Sequence, residues 1–497
     1  MSDYVLNFNN VRVVPSVALV RFCTGQAGDT IITNSFWGDA DHTSSARYTY
    51  DPTDTTTADD GWSCLVGVNN QRWKICIVGG VNVRQAGAKG DGLQVDGPYI
   101  QSAINYAAQM FNQVAFPPAG GYFNPPVVLL PPGAYRLQAT LNLYLGMTLT
   151  GISDMPMTVE HTRLIMDTAS GTTNLSIPII NVTATFNGTA RAPNVTTTIA
   201  NLGFWFINPG ASMTSRTGTA FTVGTNGIGN QGTGSAIYIA ESCVDTRVLR
   251  CNFYSMPNSA IWLNQSSNSI SSDIEVSGCE FDTSVMGVRF SGGNLRARLW
   301  GNTFYGNSRS YYFDGTQTGS VDINGGYFES GASGIEVTST TLTRFSCKNV
   351  VHEGMGANGS FLKIAGAGRV SIINNEVGLT VASTIQLTNV PAGMVAHNLL
   401  IDCGYNASTD GLTTNTTDPA GILAYNCQIV IRNNDLEVPD SATYNCFGIR
   451  TENGTGASSC IIDGNRVKPV YNGATYRSQN RRINTSTGDT VGTNWQI

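Results

Sequence analysis

From about residue 199 the chain sets single apolar residues at long, nearly even intervals. Phe253, Phe281, Phe304, Phe328, Val351, Val377, Leu400, Leu436 and Val467 serve as anchors, and the first six steps between them fall between 22 and 29 residues. Seven to eleven residues after an anchor comes a triplet: Ile261-Trp262-Leu263, Val288-Arg289-Phe290, Tyr311-Tyr312-Phe313, Ile335-Glu336-Val337, Leu362-Lys363-Ile364 and Ile385-Gln386-Leu387. The two-residue period of a strand turns the outer members of each triplet inward and the middle one out. Repeats of this length bury only part of their apolar surface alone, so they must stack. Two positions before the anchors stand Cys251, Cys279, Asn302, Gly326, Asn349, Asn375, Asn398, Asn434 and Asn465; six of these nine are Asn. An inward Asn at a bend donates to one neighbouring coil and accepts from the other, which satisfies buried backbone groups. The pattern predicts an all-β solenoid, a parallel β-helix. A leucine-rich repeat lacks its Leu pattern here, and a left-handed hexapeptide solenoid has about six residues per strand.

The earlier part of the chain reads differently. Over residues 1–80, short apolar stretches (Val11–Val14, Ile75–Val78) alternate with Asp/Thr-rich turns, as in a small β module. Residues 82–92, NVRQAGAKGDG, form a Gly-rich turn. Ile100, Ile104, Ala107, Ala108 and Phe111 then fall at helical spacing after Pro98, which predicts a helix over about 98–112 that plugs the open end of the stack. The β-helix is expected over 81–470 and a C-terminal extension over 471–497, for contact with neighbouring subunits or as a loosely ordered end.

Composition narrows the partners. Charged residues make up 12% of the 497, about half the usual share, and the net charge is −6. No basic run interleaved with aromatics marks a nucleic-acid surface. The 11 Cys include no CxxC pair and no zinc spacing, and read as small buried residues of a protein made in a reducing cytosol. No signal peptide and no apolar run of about 18 residues is visible, so neither export nor membrane insertion is expected. No cofactor is implied.

The stretch NVRQAGAKGDG, with the helix and VVLLPPGAYRL (127–137) after it, resembles the opening of the pectate-lyase-like β-helix domain of phage tailspikes and capsule depolymerases. The preceding YDPTDTTTADDGW and QRWKI (50–75) resemble the small module that often sits before that domain. The family usually follows GAKGDG with several Asp and Thr; LQVDGP keeps only Asp96, which leaves this loop a structural role. The resemblance implies a right-handed β-helix. It implies a homotrimer on a virion tail that binds, and usually cleaves, a surface polysaccharide of a bacterial host. It also implies that the N-terminal module attaches to the virion or to another tail protein.

Stacked strands lie about 4.8 Å apart, so aligned coils turn sequence into columns. One position after the anchors come Tyr254, Asp282, Tyr305, Glu329 and His352, all expected outside. Aromatic faces stack on sugar rings and carboxylates do acid–base work. Asp282 and Glu329 stand two coils apart, roughly 9–10 Å, near the upper end of the spacing of inverting glycosidases. Glu353 is a third acid able to take either role. This gives Asp282, Glu329 and Glu353 as candidate catalysts and Tyr254, Tyr305 and His352 as sugar contacts. Trp262, Arg289 and Tyr312, on another wall, suit either sugar or a trimer partner. Another column, Arg247, Glu275, Arg298 and Asp322, alternates in sign and reads as a structural ladder. Three functions remain open: a glycoside hydrolase, a uronate lyase using Tyr305 or His352 with Arg309 or Arg289, and a non-catalytic receptor-binding fibre. No Asp cluster suggests a calcium-dependent lyase.

Overall fold

The computed structural model describes residues 6–8, 10–39, 42–113, 126–152, 162–167, 176–186, 189–190, 196–207, 234–239, 245–264, 271–282, 284–331, 333–338, 341–355, 359–380, 382–403, 420–439, 447–452, 459–470 and 483–496. The chain forms two compact units, Met1–Thr219 and Ala220–Ile497.

The first unit opens with a six-stranded sheet. Its strands, β1 (Leu6–Phe8), β2 (Val11–Ser16), β3 (Thr30–Ser35), β4 (Arg47–Asp51), β5 (Cys64–Val66) and β6 (Arg72–Ile75), lie in the order β1-β2-β3-β4-β6-β5. Tyr48, Leu65 and Trp73 are buried there, and the Tyr48 hydroxyl donates to the Trp62 carbonyl at 2.7 Å. The turn at 82–92 wraps around buried Asp96, whose carboxylate accepts from the N–H groups of Lys89 at 2.8 Å and Gly90 at 3.2 Å. Gly90 has φ +67°, and a Cβ there would lie 2.9 Å from the Tyr135 ring, so no other residue fits this loop comfortably.

A helix, Gly97–Gln113, follows and buries Ile100, Ala103, Ile104, Ala107 and Ala108; the Phe111 side chain lies outside the described residues. The strands Val127–Leu130, Gly133–Leu137 and Leu141–Tyr144 make the first coil. They pair in parallel with Thr148–Gly151, Thr162–Asp167 and Ile180–Thr183 of the next.

The second unit repeats the same coil, and the fold is a right-handed parallel β-helix. Each coil carries three strands, whose stacks form three walls. Val370–Ile373 lies on the first wall, Glu376–Thr380 on the second and Ile385–Thr388 on the third. Inside the second wall, Phe253, Phe281, Phe304 and Phe328 stack with ring centroids 4.9, 4.6 and 4.9 Å apart. Phe290 and Phe313 stack at 4.7 Å inside the third.

The bend between the first and second walls holds the coils in register. A residue with positive φ begins it: Arg250, Gly278, Gly301, Gly325, Asn349, Asn374, His397, Asn433 and Gly464 in successive coils. The residue after it points inward. In the later coils that residue is Asn, and the amides chain together. Asn375 Nδ2 donates to Asn398 Oδ1 at 2.9 Å, Asn398 to Asn434 at 2.9 Å, Asn434 to Asn465 at 2.8 Å and Asn465 to Asn494 at 3.1 Å. Each Nδ2 also reaches a backbone carbonyl, as Asn398 does to Ile372 at 3.1 Å. Each Oδ1 also accepts a backbone N–H, as Asn398 does from Asn375 at 3.0 Å. Donors and acceptors that would otherwise be stranded in the core are thereby paired.

One coil departs from the sequence register. Spacing names Val351 as its anchor and Asn349 as its inward amide. The structure pairs Phe328 with His352 and Glu329 with Glu353, so His352 is the anchor and Val350 the inward bend residue. Asn349 is the positive-φ residue instead. The Val350 N–H donates to Asn375 Oδ1 at 3.1 Å and continues the ladder without a side-chain amide.

Cys64, Cys251, Cys279, Cys347, Cys427 and Cys460 are buried. Cys279 takes a ladder position, where its Sγ accepts from the Cys251 N–H at 3.4 Å. At the far end, Ile483–Asn484, Thr490–Val491 and Trp495–Gln496 pair in parallel with the coil before them. The rest of the tail, 471–482, lies outside the described residues. Among the described residues no helix is long and apolar enough to cross a membrane.

Asn398→Ala removes the acceptor for two donors of Asn375 and the donor to Ile372, all buried. Unfolding in denaturant should show a loss of about 2–3 kcal/mol; a change below about 0.5 kcal/mol would mean that the ladder does not hold the register.

Candidate active site

The pairing fixes the outer column of the second wall residue by residue. Tyr254 pairs with Asp282, Asp282 with Tyr305, Tyr305 with Glu329 and Glu329 with Glu353. Each follows an inward residue of its strand, so each faces out. The fifth place belongs to Glu353. His352, expected there as a sugar contact, is turned into the core and is 1% exposed. A histidine so placed cannot reach a polymer outside.

A second outward column runs beside the first, two residues earlier in each strand. It brings Glu280, Thr303, Tyr327, Val351 and Glu376 into line. Glu280 and Tyr327 stand beside the candidate acids, two residues from the column that the sequence pattern follows. The signal was the strand period itself, since Glu280 precedes Asp282 and Tyr327 precedes Glu329 by two residues.

The Tyr327 hydroxyl donates to Glu353 Oε2 at 2.8 Å and lies 3.5 Å from Glu329 Oε2. One phenol thus bridges the acids of two adjacent coils. The hydrogen bond to Glu353, then loss of water, then the charges of Glu329 and Glu353 push the Tyr327 phenol up to about 12. Burial first, then Glu280, Glu329 and Asp282, push Tyr305 upward as well. Its ring centroid lies 6.1 Å from that of Tyr327. Both phenols therefore stay protonated near neutral pH.

Trp262, Arg289 and Arg309 assemble on the third wall, away from this cluster. Trp262 pairs with Arg289, Arg289 with Tyr312 and Tyr312 with Glu336. The Arg289 guanidinium sits 4.6 Å from the Trp262 ring centroid and binds Asp314 at 2.6 Å. Arg309 sits 4.7 Å from the Tyr312 ring and binds Glu336 at 2.6 Å. Here each cation has both a ring and a carboxylate. On the first wall, Arg247 pairs with Glu275, Glu275 with Arg298 and Arg298 with Asp322, the alternating ladder the sequence predicts. No group of three or more His, Cys, Asp or Glu among the described residues could hold a metal ion.

The family Rhamnogalacturonase A/epimerase, pectate lyase-like, matches residues 80–359, and the chain belongs to it. Among solved structures it is similar to the tailspike of Acinetobacter baumannii bacteriophage Fri1, a capsular polysaccharide depolymerase. That likeness has 15% identity and a TM-score of 0.49 over 97% of this chain and 74% of that one. It is similar to tailspike protein 2 of the Escherichia coli bacteriophage CAB120, with 14% identity and a TM-score of 0.48 over 96% of this chain and 54% of that one. The mannuronan C-5 epimerase A-module of Azotobacter vinelandii matches with 16% identity and a TM-score of 0.38, over 83% of this chain and 98% of that one.

Burial lowers the His352 pKa to about 4 from 6.5, and the backbone at Gly378 offsets only part of this. Among the described residues neither ring nitrogen has a hydrogen-bond partner of good geometry. As pH falls from 6.5 to 4, the unfolded chain takes up a proton that the folded chain refuses. Stability is full above that window and declines through it, by about 3 kcal/mol in all. His352→Phe would extend the ring stack, and it should remove this part of the pH dependence in denaturant titrations. A pH dependence the same as wild type would place His352 at the surface.

Proposed function

We propose that the protein is a phage tailspike that binds and depolymerises a bacterial surface polysaccharide by glycosidic hydrolysis. In this reading it works as a homotrimer on the virion tail, attached through the module at residues 1–80. The carrying observation is the outer column Tyr254-Asp282-Tyr305-Glu329-Glu353, with Tyr305 between Asp282 and Glu329 and no cation in the column. Membership of a pectate-lyase-like family supports a polysaccharide substrate.

The reaction needs a proton for the leaving oxygen and a base for the attacking water. Glu329 gives its proton to the glycosidic oxygen as the bond to the anomeric carbon breaks. Asp282 takes a proton from a water that forms the new bond from the opposite face. Two coils separate them, roughly 9–10 Å between backbones, which leaves room for that water and favours inversion. Glu353, held by Tyr327, stands next to Glu329 and keeps that phenol aimed into the site. Tyr254 and Tyr305 offer faces to the sugar rings.

Hydrolysis is preferred to β-elimination because the bases and cations named for a lyase are poorly suited. Tyr305 is pushed upward, His352 is buried, and Arg289 and Arg309 are neutralised by Asp314 and Glu336.

Incubation with the host glycan should release reducing ends without the ultraviolet absorbance of an unsaturated uronate. Asp282→Asn and Glu329→Gln should each lower that release about a hundredfold or more while keeping the wild-type melting profile. Unsaturated product would assign a lyase. No product from the correct glycan would leave a receptor-binding fibre. Full activity in both variants would move the site off this column.

A further inference from the structure

The first wall of the second unit carries an arginine cluster that the cleavage site does not use. Arg344, Arg369 and Arg432 surround a cleft of about 530 Å³, with Val370, Ser371, Ala392, Gly393, Met394 and Val430 as its remaining lining. That volume is in the range of small-ligand sites, about 300–1,000 Å³. Ser371 pairs with Met394 and Met394 with Val430, so the floor is one continuous outward column. The depth comes from the small residues Ala392 and Gly393, one coil after Arg369. A Cβ on Gly393 would lie 2.4 Å from the Val370 carbonyl oxygen, so the depression cannot be filled from that position.

The charges break the rule that the same wall obeys elsewhere. Phe345 pairs with Val370, and the Phe345 N–H donates to the Arg369 carbonyl at 2.8 Å, so Arg344 and Arg369 are stacked neighbours. Like charges directly opposite one another destabilise a sheet. Earlier in this same column Asp273 neutralises Arg296 at 2.6 Å, and the central column of the wall alternates in sign through Arg247, Glu275, Arg298 and Asp322. The chain has 34 Asp and Glu against 28 Lys and Arg. Even so, the guanidiniums of Arg344 and Arg369 have no ion pair or side-chain hydrogen bond among the described residues, while Arg432, on the far side of the cleft, lies opposite Asp463 in the next coil. Two stacked cations without a carboxylate, beside a preformed cleft that a third arginine also lines, cost stability and are best explained by an anionic ligand.

Resting on the polysaccharide reading above, we infer that this cleft binds a carboxylate-bearing sugar of an acidic polysaccharide, and so holds the polymer on a wall separate from the one that cuts it. Guanidiniums take a carboxylate through forked hydrogen bonds. Met394 and Val430 offer an apolar floor for the C–H face of the ring, and the Ser371 hydroxyl can bond a sugar hydroxyl. A protein of net charge −6 repels a polyanion overall, so a local cluster of this kind is what such a substrate requires.

Native affinity electrophoresis of the full chain tests this, in gels cast with polygalacturonate, alginate or hyaluronan and, separately, with neutral dextran or polyphosphate. Wild type should be retarded by at least one uronate polymer, less so as salt rises, and not by dextran. The triple variant Arg344→Gln, Arg369→Gln, Arg432→Gln should lose that retardation at least tenfold in polymer concentration. It should unfold no earlier than wild type, since a like-charge stack is relieved. Asp282→Asn should bind as wild type does while failing to cleave, which separates this cleft from the catalytic column. No retardation of wild type by any uronate, retention by the triple variant, or equal retardation by polyphosphate would overturn the inference. Cleavage of the host glycan would stand unaffected in each of those cases.

Discussion

Each coil hangs on its neighbours by parallel backbone hydrogen bonds, and the bend after the first wall decides in which register they form. A positive-φ residue turns the chain there, and the next residue points inward and pairs with the same residue of the adjacent coil. In the later coils that residue is Asn, and one amide satisfies a carbonyl, a backbone N–H and the next amide together. A shift of one residue would bury the outward set and expose the inward one. The stacked phenylalanines, the acid column and the arginine cleft all depend on this register.

Much of this was legible because it repeats. The phenylalanines from Phe253 to Phe328 announce themselves by size and spacing. Asn375, Asn398, Asn434 and Asn465 do so by recurring at one offset from Val377, Leu400, Leu436 and Val467. The coil at 349–353 shows where legibility ends. Asn suits both the positive-φ place and the inward place, and these are adjacent in sequence. Asn349 therefore supports the wrong anchor, and Val351 supports it again by being apolar. Only the pairing of Phe328 with His352 separates the two. A histidine inside a column of phenylalanine rings has no signature in a single sequence. The slip also moves the site's last member to Glu353, an acid already among the candidates.

The three walls treat charge in three ways, and that contrast separates structure from function. The third wall neutralises Arg289 with Asp314 and Arg309 with Glu336, and lays each on an aromatic ring. The second wall gathers acids and bridges them with a tyrosine hydroxyl. The first wall begins with alternating signs and further on stacks Arg344 on Arg369. Neutralised ladders hold the solenoid together. In the readings proposed above, the acidic column and the arginine cleft are the places that take a partner. Tyr327 was invisible to a reading that took one column at a time, because its importance lies in spanning two coils.

The most direct measurement is a crystal structure of the inactive Glu329→Gln protein soaked with an oligosaccharide cut from the host glycan. The account predicts sugar rings against Tyr305 and Tyr327, with a glycosidic oxygen within hydrogen-bond reach of residue 329 and a water beside Asp282. An oligosaccharide seated instead over Trp262 and Tyr312, or bound between subunits away from the second wall, would contradict it.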